Sequence, residues 1–113
     1  MIQIDNKNKS PKYKQIAECI KRDIMMGEIS TSQTLISIRN LAKDLNVSII
    51  TVKKAYEYLE VKYIIVAHPK KHYKVSNEAV RIIREDKKKE LRIINDYLLE
   101  CLNIYNIDYN EII

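Results

Sequence analysis

Two cap residues, Ser37 and Ser48, stand so close together that the chain between them must be a short helix and a sharp corner, and nothing else in the sequence constrains the fold as tightly. Ser37 is a natural N-cap, and the residues after it, Ile38, Leu41, Ala42 and Leu45, repeat with helical period. Asn46 can end that helix because Asn tolerates the left-handed conformation better than most side chains do. Val47 then fits inward, and Ser48 caps a further helix whose inner face is Val52, Ala55, Tyr56 and Leu59. Two short helices joined by a tight turn form a helix-turn-helix. This reading leaves Ile49 and Ile50 side by side in the opening turn of the second helix, outside its inner stripe. Either both are buried, or they face a partner that accepts apolar side chains.

The single Gly and two Pro leave little punctuation elsewhere, so caps must locate the other boundaries. Ser10-Pro11 predicts a helix with Ser as cap and Pro at the first helical position. Its stripe is Tyr13, Ile16, Ala17, Ile20 and Ile24, and Met26-Gly27 ends it. Residues 28–37 read as a connector. Tyr63 to Ala67 is short and β-branched, His72 to Val75 alternates, and residues 68–71 between them can turn the chain, which predicts a two-stranded hairpin. Isolated hairpins are marginal, so this one must lean on the helices. From Ser76 onward Val80, Ile83, Leu91, Ile94, Leu98 and Leu102 mark another helix, solvated from Arg84 to Glu90 and expected to leave the front part before it becomes apolar. Asp108 and Glu111 match a capping box that opens a last turn. The expected fold is mainly α with a small β-hairpin: a winged helix-turn-helix over residues 1–75, followed by a short helical dimerisation tail over residues 76–113.

A chain of 113 residues buries only a modest core, so oligomerisation is expected. A helix with an apolar far end wants a partner, and a second copy of the same chain is the simplest one. The net charge of +5 is unevenly spread: residues 1–75 hold 14 Lys+Arg against 7 Asp+Glu, and residues 76–113 hold 6 against 8. The front part therefore suits a polyanion. No apolar run is long enough to span a membrane and the start lacks a secretory signal, which points to the cytoplasm. Cys19 and Cys101 lie far apart with no CxxC partner, so they read as two buried thiols at helical apolar positions, with neither disulfide nor zinc site, and a redox or thiol sensor as the other reading. His68 and His72 are four residues apart, but Pro69 and the expected turn spoil a helical metal geometry and no third ligand is evident. No paired carboxylates, activated nucleophile or phosphate-cradling Gly-rich loop is present, so no enzyme chemistry and no cofactor is expected.

Three helices and a wing, with a basic third helix, resemble a known family. Pro11 and Tyr13 with Gln15-Ile16, then Gly27-Glu28-Ile29, Ser37-Ile38-Arg39 with Leu41-Ala42, and Val47-Ser48 with Thr51-Val52-Lys53 and Ala55-Tyr56 are similar in order and spacing to the DNA-binding domain of GntR-type bacterial transcription regulators. The likeness covers about residues 9–75. The short tail resembles that of the YtrA-like subgroup, which implies a homodimer without a large effector domain. Departures are the connector's Thr31-Ser32 in place of Pro-Gly, Leu35-Ile36-Ser37 in place of Leu-Pro-Ser, Ile49 where a basic residue is common, and a wing tip of Lys70-Lys71-His72 in place of Gly-Lys-Gly.

The resemblance implies a sequence-specific binder of double-stranded DNA, a homodimeric repressor of a pseudo-palindromic operator that controls its own operon with a transporter. In this architecture the third helix lies in the major groove. Ile49 and Ile50 are then expected on thymine methyl groups, Arg39, Lys53 and Lys54 on phosphates or guanine edges, Ser48 and Thr51 in phosphate or base hydrogen bonds, and Lys70 and Lys71 as the wing's positive charge. Leu91, Ile94, Leu98, Cys101 and Leu102 are the expected dimer interface, with packing back on the first helix as the other reading. A small-molecule effector is not legible. Two other readings stay open: an architectural DNA binder without sequence preference, suggested by the wing, and a protein-interaction module, suggested by the paired isoleucines.

Overall fold

An amphipathic stripe organises the first helix, α1 (Lys12–Met25), which buries Ile16, Ala17, Ile20 and Ile24. The computed structural model describes residues 2–69 and 72–113. The expected wing contacts Lys70 and Lys71 lie outside the described residues. Helix α1 starts one residue later than the sequence suggests. Pro11 is extended (φ −55°, ψ 146°) and itself the cap, without a side-chain cap bond. The carbonyl of Ser10 is taken instead by Gln15 Nε2 at 3.0 Å. Gly27 closes the helix at φ 79°, in the left-handed region that suits a residue without a Cβ.

The helix-turn-helix forms as its caps dictate. Helix α2 (Ile38–Leu45) begins with Ser37 Oγ accepting from Asn40 N at 3.1 Å. It ends at Asn46, left-handed at φ 55° and ψ 48°. Helix α3 (Ile49–Val61) follows and buries Val52, Ala55, Tyr56 and Leu59 against α1 and α2.

The wing differs from expectation at its start. Tyr63, at φ 63°, and the fully buried Ile64 make the corner that closes α3, with Ile64 N donating to Leu59 O at 3.0 Å. Strand β1 therefore spans Ile65–His68, and it pairs antiparallel with β2 (His72–Val75), Ile65 opposite Val75 and His68 opposite His72. The helix connector takes the free edge of β2: Leu35 N donates to Tyr73 O at 2.8 Å, Val75 N to Gln33 O at 3.0 Å and Ser32 N to Val75 O at 2.9 Å. The wing thus leans on backbone pairing as well as on helices, which its marginal size demands.

Tyr56 ties these pieces together. Its hydroxyl donates to Ile36 O at 2.6 Å and its ring meets Tyr73 edge-on, centroids 5.4 Å apart. Burial pushes the phenol far above the ordinary tyrosine range, so it remains a donor throughout the neutral range.

The chain divides into two compact units, Met1–Ile83 and Arg84–Ile113. Helix α4 (Ala79–Ile104) begins in the first, where Ala79 and Ile83 are buried. In the second unit the chain turns at Asn106, φ 53°, and closes with a 3-10 turn over Tyr109–Glu111. The expected capping box is present there: Asp108 N donates to Glu111 Oε2 at 2.7 Å, and Asn110 N to Asp108 Oδ1 at 2.9 Å. Among the described residues no helix is long and apolar enough to cross a membrane.

Replacing Tyr56 by Phe removes the donor to a part-buried carbonyl while keeping the ring. It should cost about 1–3 kcal/mol in a urea unfolding titration. An unchanged midpoint would show that water reaches the Ile36 carbonyl.

Candidate nucleic-acid interface

The outward face of α3 is defined by what its buried stripe leaves over. Ile49 is 44% exposed and Ile50 67%, so the question raised by their position is answered for this chain: neither is in its core. Lys53 and Lys54 follow, both exposed, and neither pairs with a carboxylate among the described residues. The opening half of the helix is thus a basic surface with an apolar tip.

Ser48 holds that tip in place. Its Oγ accepts the Thr51 amide at 3.1 Å and lies 2.8 Å from Thr51 Oγ1. One hydroxyl donates to the other, so either arrangement leaves one hydroxyl proton of the pair for an outside acceptor. The first amides of any helix also lack intrahelical acceptors, and their end of the dipole favours an anion. Arg39 is exposed in the first turn of α2, one residue beyond Ile38, and is likewise without a carboxylate partner among the described residues.

Further along the same face stand Glu57 and Val61, the latter 87% exposed. With Lys54, Tyr13, Tyr58 and Lys62 they line a shallow, mainly apolar cleft of about 370 Å³. Glu57 was readable from the helical period, four residues after Lys53, and it confines the positive charge to the opening half of α3. Ile36, 42% exposed just before Ser37, is another apolar surface residue that sequence reasoning passed over. His68 and His72 face each other across the hairpin, and no cluster of three or more metal-ligating side chains occurs among the described residues.

In the second unit, Leu91 and Ile94 are about half exposed, at 54% and 55%, while Leu98, Cys101 and Leu102 are partly buried. Sequence reasoning missed their neighbours Ile93, Tyr97 and Ile104, which are 71%, 69% and 63% exposed. At spacings of four and seven they turn a narrow stripe into a broad apolar face. Tyr97 sits beside the Cys101 thiol, whose hydrogen bond and charge push the phenol up.

Capping and surface roles separate by mutation. Ser48→Ala should lower stability by about 1 kcal/mol, whereas Ile50→Ala should change it by less than about 0.5 kcal/mol. Thermal denaturation of both variants checks this, and a large loss from Ile50→Ala would place that side chain in a core.

Residues 12–75 match the family described as bacterial regulatory proteins, gntR family. Among solved structures, YtrA from Sulfolobus acidocaldarius, a GntR-family transcription factor, is 40% identical at a TM-score of 0.74, covering 88% of this chain and 97% of that one. Among curated relatives, the uncharacterized HTH-type transcriptional regulator YhdI of Bacillus subtilis is 34% identical over 59% of this chain and 14% of its own length. The uncharacterized HTH-type transcriptional regulator YdcR of Escherichia coli is 30% identical over 80% of this chain and 20% of its own length. The chain therefore spans no more than a fifth of the curated relatives it matches. With 64 of its 113 residues inside the family's domain, and with the caps, corner and wing of that domain in place, the chain belongs to the gntR family of bacterial regulatory proteins, DNA-binding transcription regulators built on this winged helix-turn-helix.

Proposed function

We propose that this protein is a homodimeric repressor that recognises a pseudo-palindromic operator through the opening half of α3. The observation that carries the reading is the pair Ile49 and Ile50, exposed at the tip of a capped helix and followed by Lys53 and Lys54. In a major groove this arrangement divides the labour. Lysines meet phosphates or guanine edges, and isoleucines meet thymine methyl groups, the one apolar feature of the groove floor. Arg39, Ser48 and Thr51 flank the same end and add contacts that fix register; Lys70 and Lys71 add charge at the wing.

Residues 1–75 make the DNA contacts in this reading, and residues 76–113 make the dimer. Leu91, Ile94, Leu98, Cys101 and Leu102 supply the interface, broadened by Ile93 and Tyr97. So much exposed apolar surface in so small a unit suits a partner, and a twofold partner sets two α3 helices on half-sites about one helical turn, roughly 10 bp, apart. The likeness to the YtrA-like subgroup supports a target within the chain's own operon, together with a transporter. A bound dimer at a promoter blocks it.

Fluorescence anisotropy with the chain's own upstream DNA and with a scrambled duplex, each across a salt series, tests this. The expected preference is roughly a hundredfold or more, with a steep salt slope. Lys53→Ala should lower that slope by about one unit per affected half-site. Equal affinity for both duplexes would favour an architectural binder, and no binding at low salt would leave the isoleucines as a protein-docking surface.

The dimer is tested separately. Ile94→Asp with Leu98→Asp should give a monomer in sedimentation velocity and weaken binding to the upstream duplex by at least about tenfold, because each protomer then binds alone. A dimer that survives both changes would move the interface elsewhere.

A further inference from the structure

The segment before α1, with Lys12 at the start of that helix, carries charge that the surface described so far does not use. We propose that residues 4–12 form a lysine-bearing brace, a second DNA contact that binds backbone phosphates beside the groove entered by α3. This inference rests on the DNA-binding reading above.

The brace is held in one shape. Ile2 and Ile4 pack against the core, and Gln3 O accepts from Cys19 Sγ at 3.9 Å. Gln15 clamps Asp5 from both sides: Asp5 N donates to Gln15 Oε1 at 2.9 Å, and Gln15 Nε2 donates to Asp5 O at 3.2 Å. Beyond Asp5 the chain folds into two short turns, with Lys7 N donating to Asp5 Oδ1 at 2.9 Å and Ser10 N to Asn8 Oδ1 at 2.8 Å. Lys7 and Lys9 therefore project from an ordered loop rather than from a tail.

Charge and position point to the same partner. Lys7, Lys9 and Lys12 are exposed and make no ion pair among the described residues. No acidic residue occurs from Asn6 to Ala17. Asn6 and Lys12 line a cavity of about 400 Å³ together with Ile4, Asp44, Leu45, Asn46 and Val47, so the brace shares a cavity with the turn that leads into Ser48 and α3. A duplex that receives the opening turn of α3 has groove-rim phosphates next to that turn. Asp44 shares the cavity with Lys12 and offsets part of its charge, which leaves Lys7 and Lys9 as the stronger contacts. A lysine ammonium is a point charge that reads no base, so the brace adds affinity without adding sequence preference.

The test uses the full chain carrying Lys7→Ala, Lys9→Ala and Lys12→Ala, with anisotropy on the upstream duplex and on a scrambled duplex of equal length across a salt series. The expected result is a salt slope lower by about one unit per lost phosphate contact on both duplexes, with their affinity ratio unchanged. The triple Lys→Arg variant should restore the slope. Lys14→Ala should leave it unchanged, since Lys14 sits about 200° around α1 from Lys12. Circular dichroism melting should be the same for all variants. A triple alanine variant with the wild-type slope overturns the brace, as does a loss confined to the upstream duplex, while the DNA-binding reading survives either result. A wild-type chain that binds neither duplex overturns both.

Discussion

The hydroxyl of Tyr56 gives its proton to the carbonyl of Ile36 from a ring that is itself buried, and three parts of the first unit meet at that one side chain. Its backbone belongs to α3, its hydroxyl holds the end of the connector, and its ring edge meets Tyr73 of β2. The connector in turn pairs with β2 through Leu35 and Gln33. Without the phenol the Ile36 carbonyl would have to find another donor, at a cost of about 1–3 kcal/mol if none arrived. The rotation of α3 about its axis follows from this anchorage. Because Tyr56 and its stripe face inward, Ile50 and Lys54 must face outward.

That dependence explains which features were legible in the sequence. Ser37, Asn46, Ser48 and Asp108 act through bonds to backbone two or three residues away, or through a left-handed tolerance of their own, and local chemistry of this kind can be read from neighbours alone. Ser10 looked equally good as a cap, but Gln15 bonds its carbonyl and Pro11 takes the boundary position. Tyr63 and Ile64 read as strand because both favour it, yet the corner that ends α3 uses them first. The pairing of the connector with β2 left no trace at all in the pattern of residues 28–37, because one edge of backbone bonds needs no alternation of side chains.

Of the candidate site, the exposure of Ile49 and Ile50 was posed as a question and needed the packed fold to answer it. Lys53 and Lys54 follow from helical period once the inner stripe is known. Glu57 was just as readable, and it ends the positive surface of α3 partway along the helix. The brace was invisible for a different reason. Its meaning comes from Gln15 and the cavity beside Asn46, contacts between segments that the sequence places far apart.

Two apolar surfaces of opposite character thus occur in one small chain. On α3 two isoleucines are followed by two lysines; on α4 the stretch from Leu91 to Ile104 holds a broad apolar face and a single basic residue, Arg92. The first suits a charged partner with methyl groups on its floor, and the second suits another apolar face. The most direct measurement is a methyl-resolved NMR titration of isoleucine-labelled protein with the upstream duplex. The account predicts that the methyl signals of Ile49 and Ile50 move on DNA addition while those of the buried Ile16, Ile20 and Ile64 stay in place. Shifts absent from Ile49 and Ile50, with DNA bound, would contradict the claim that the tip of α3 reads the groove.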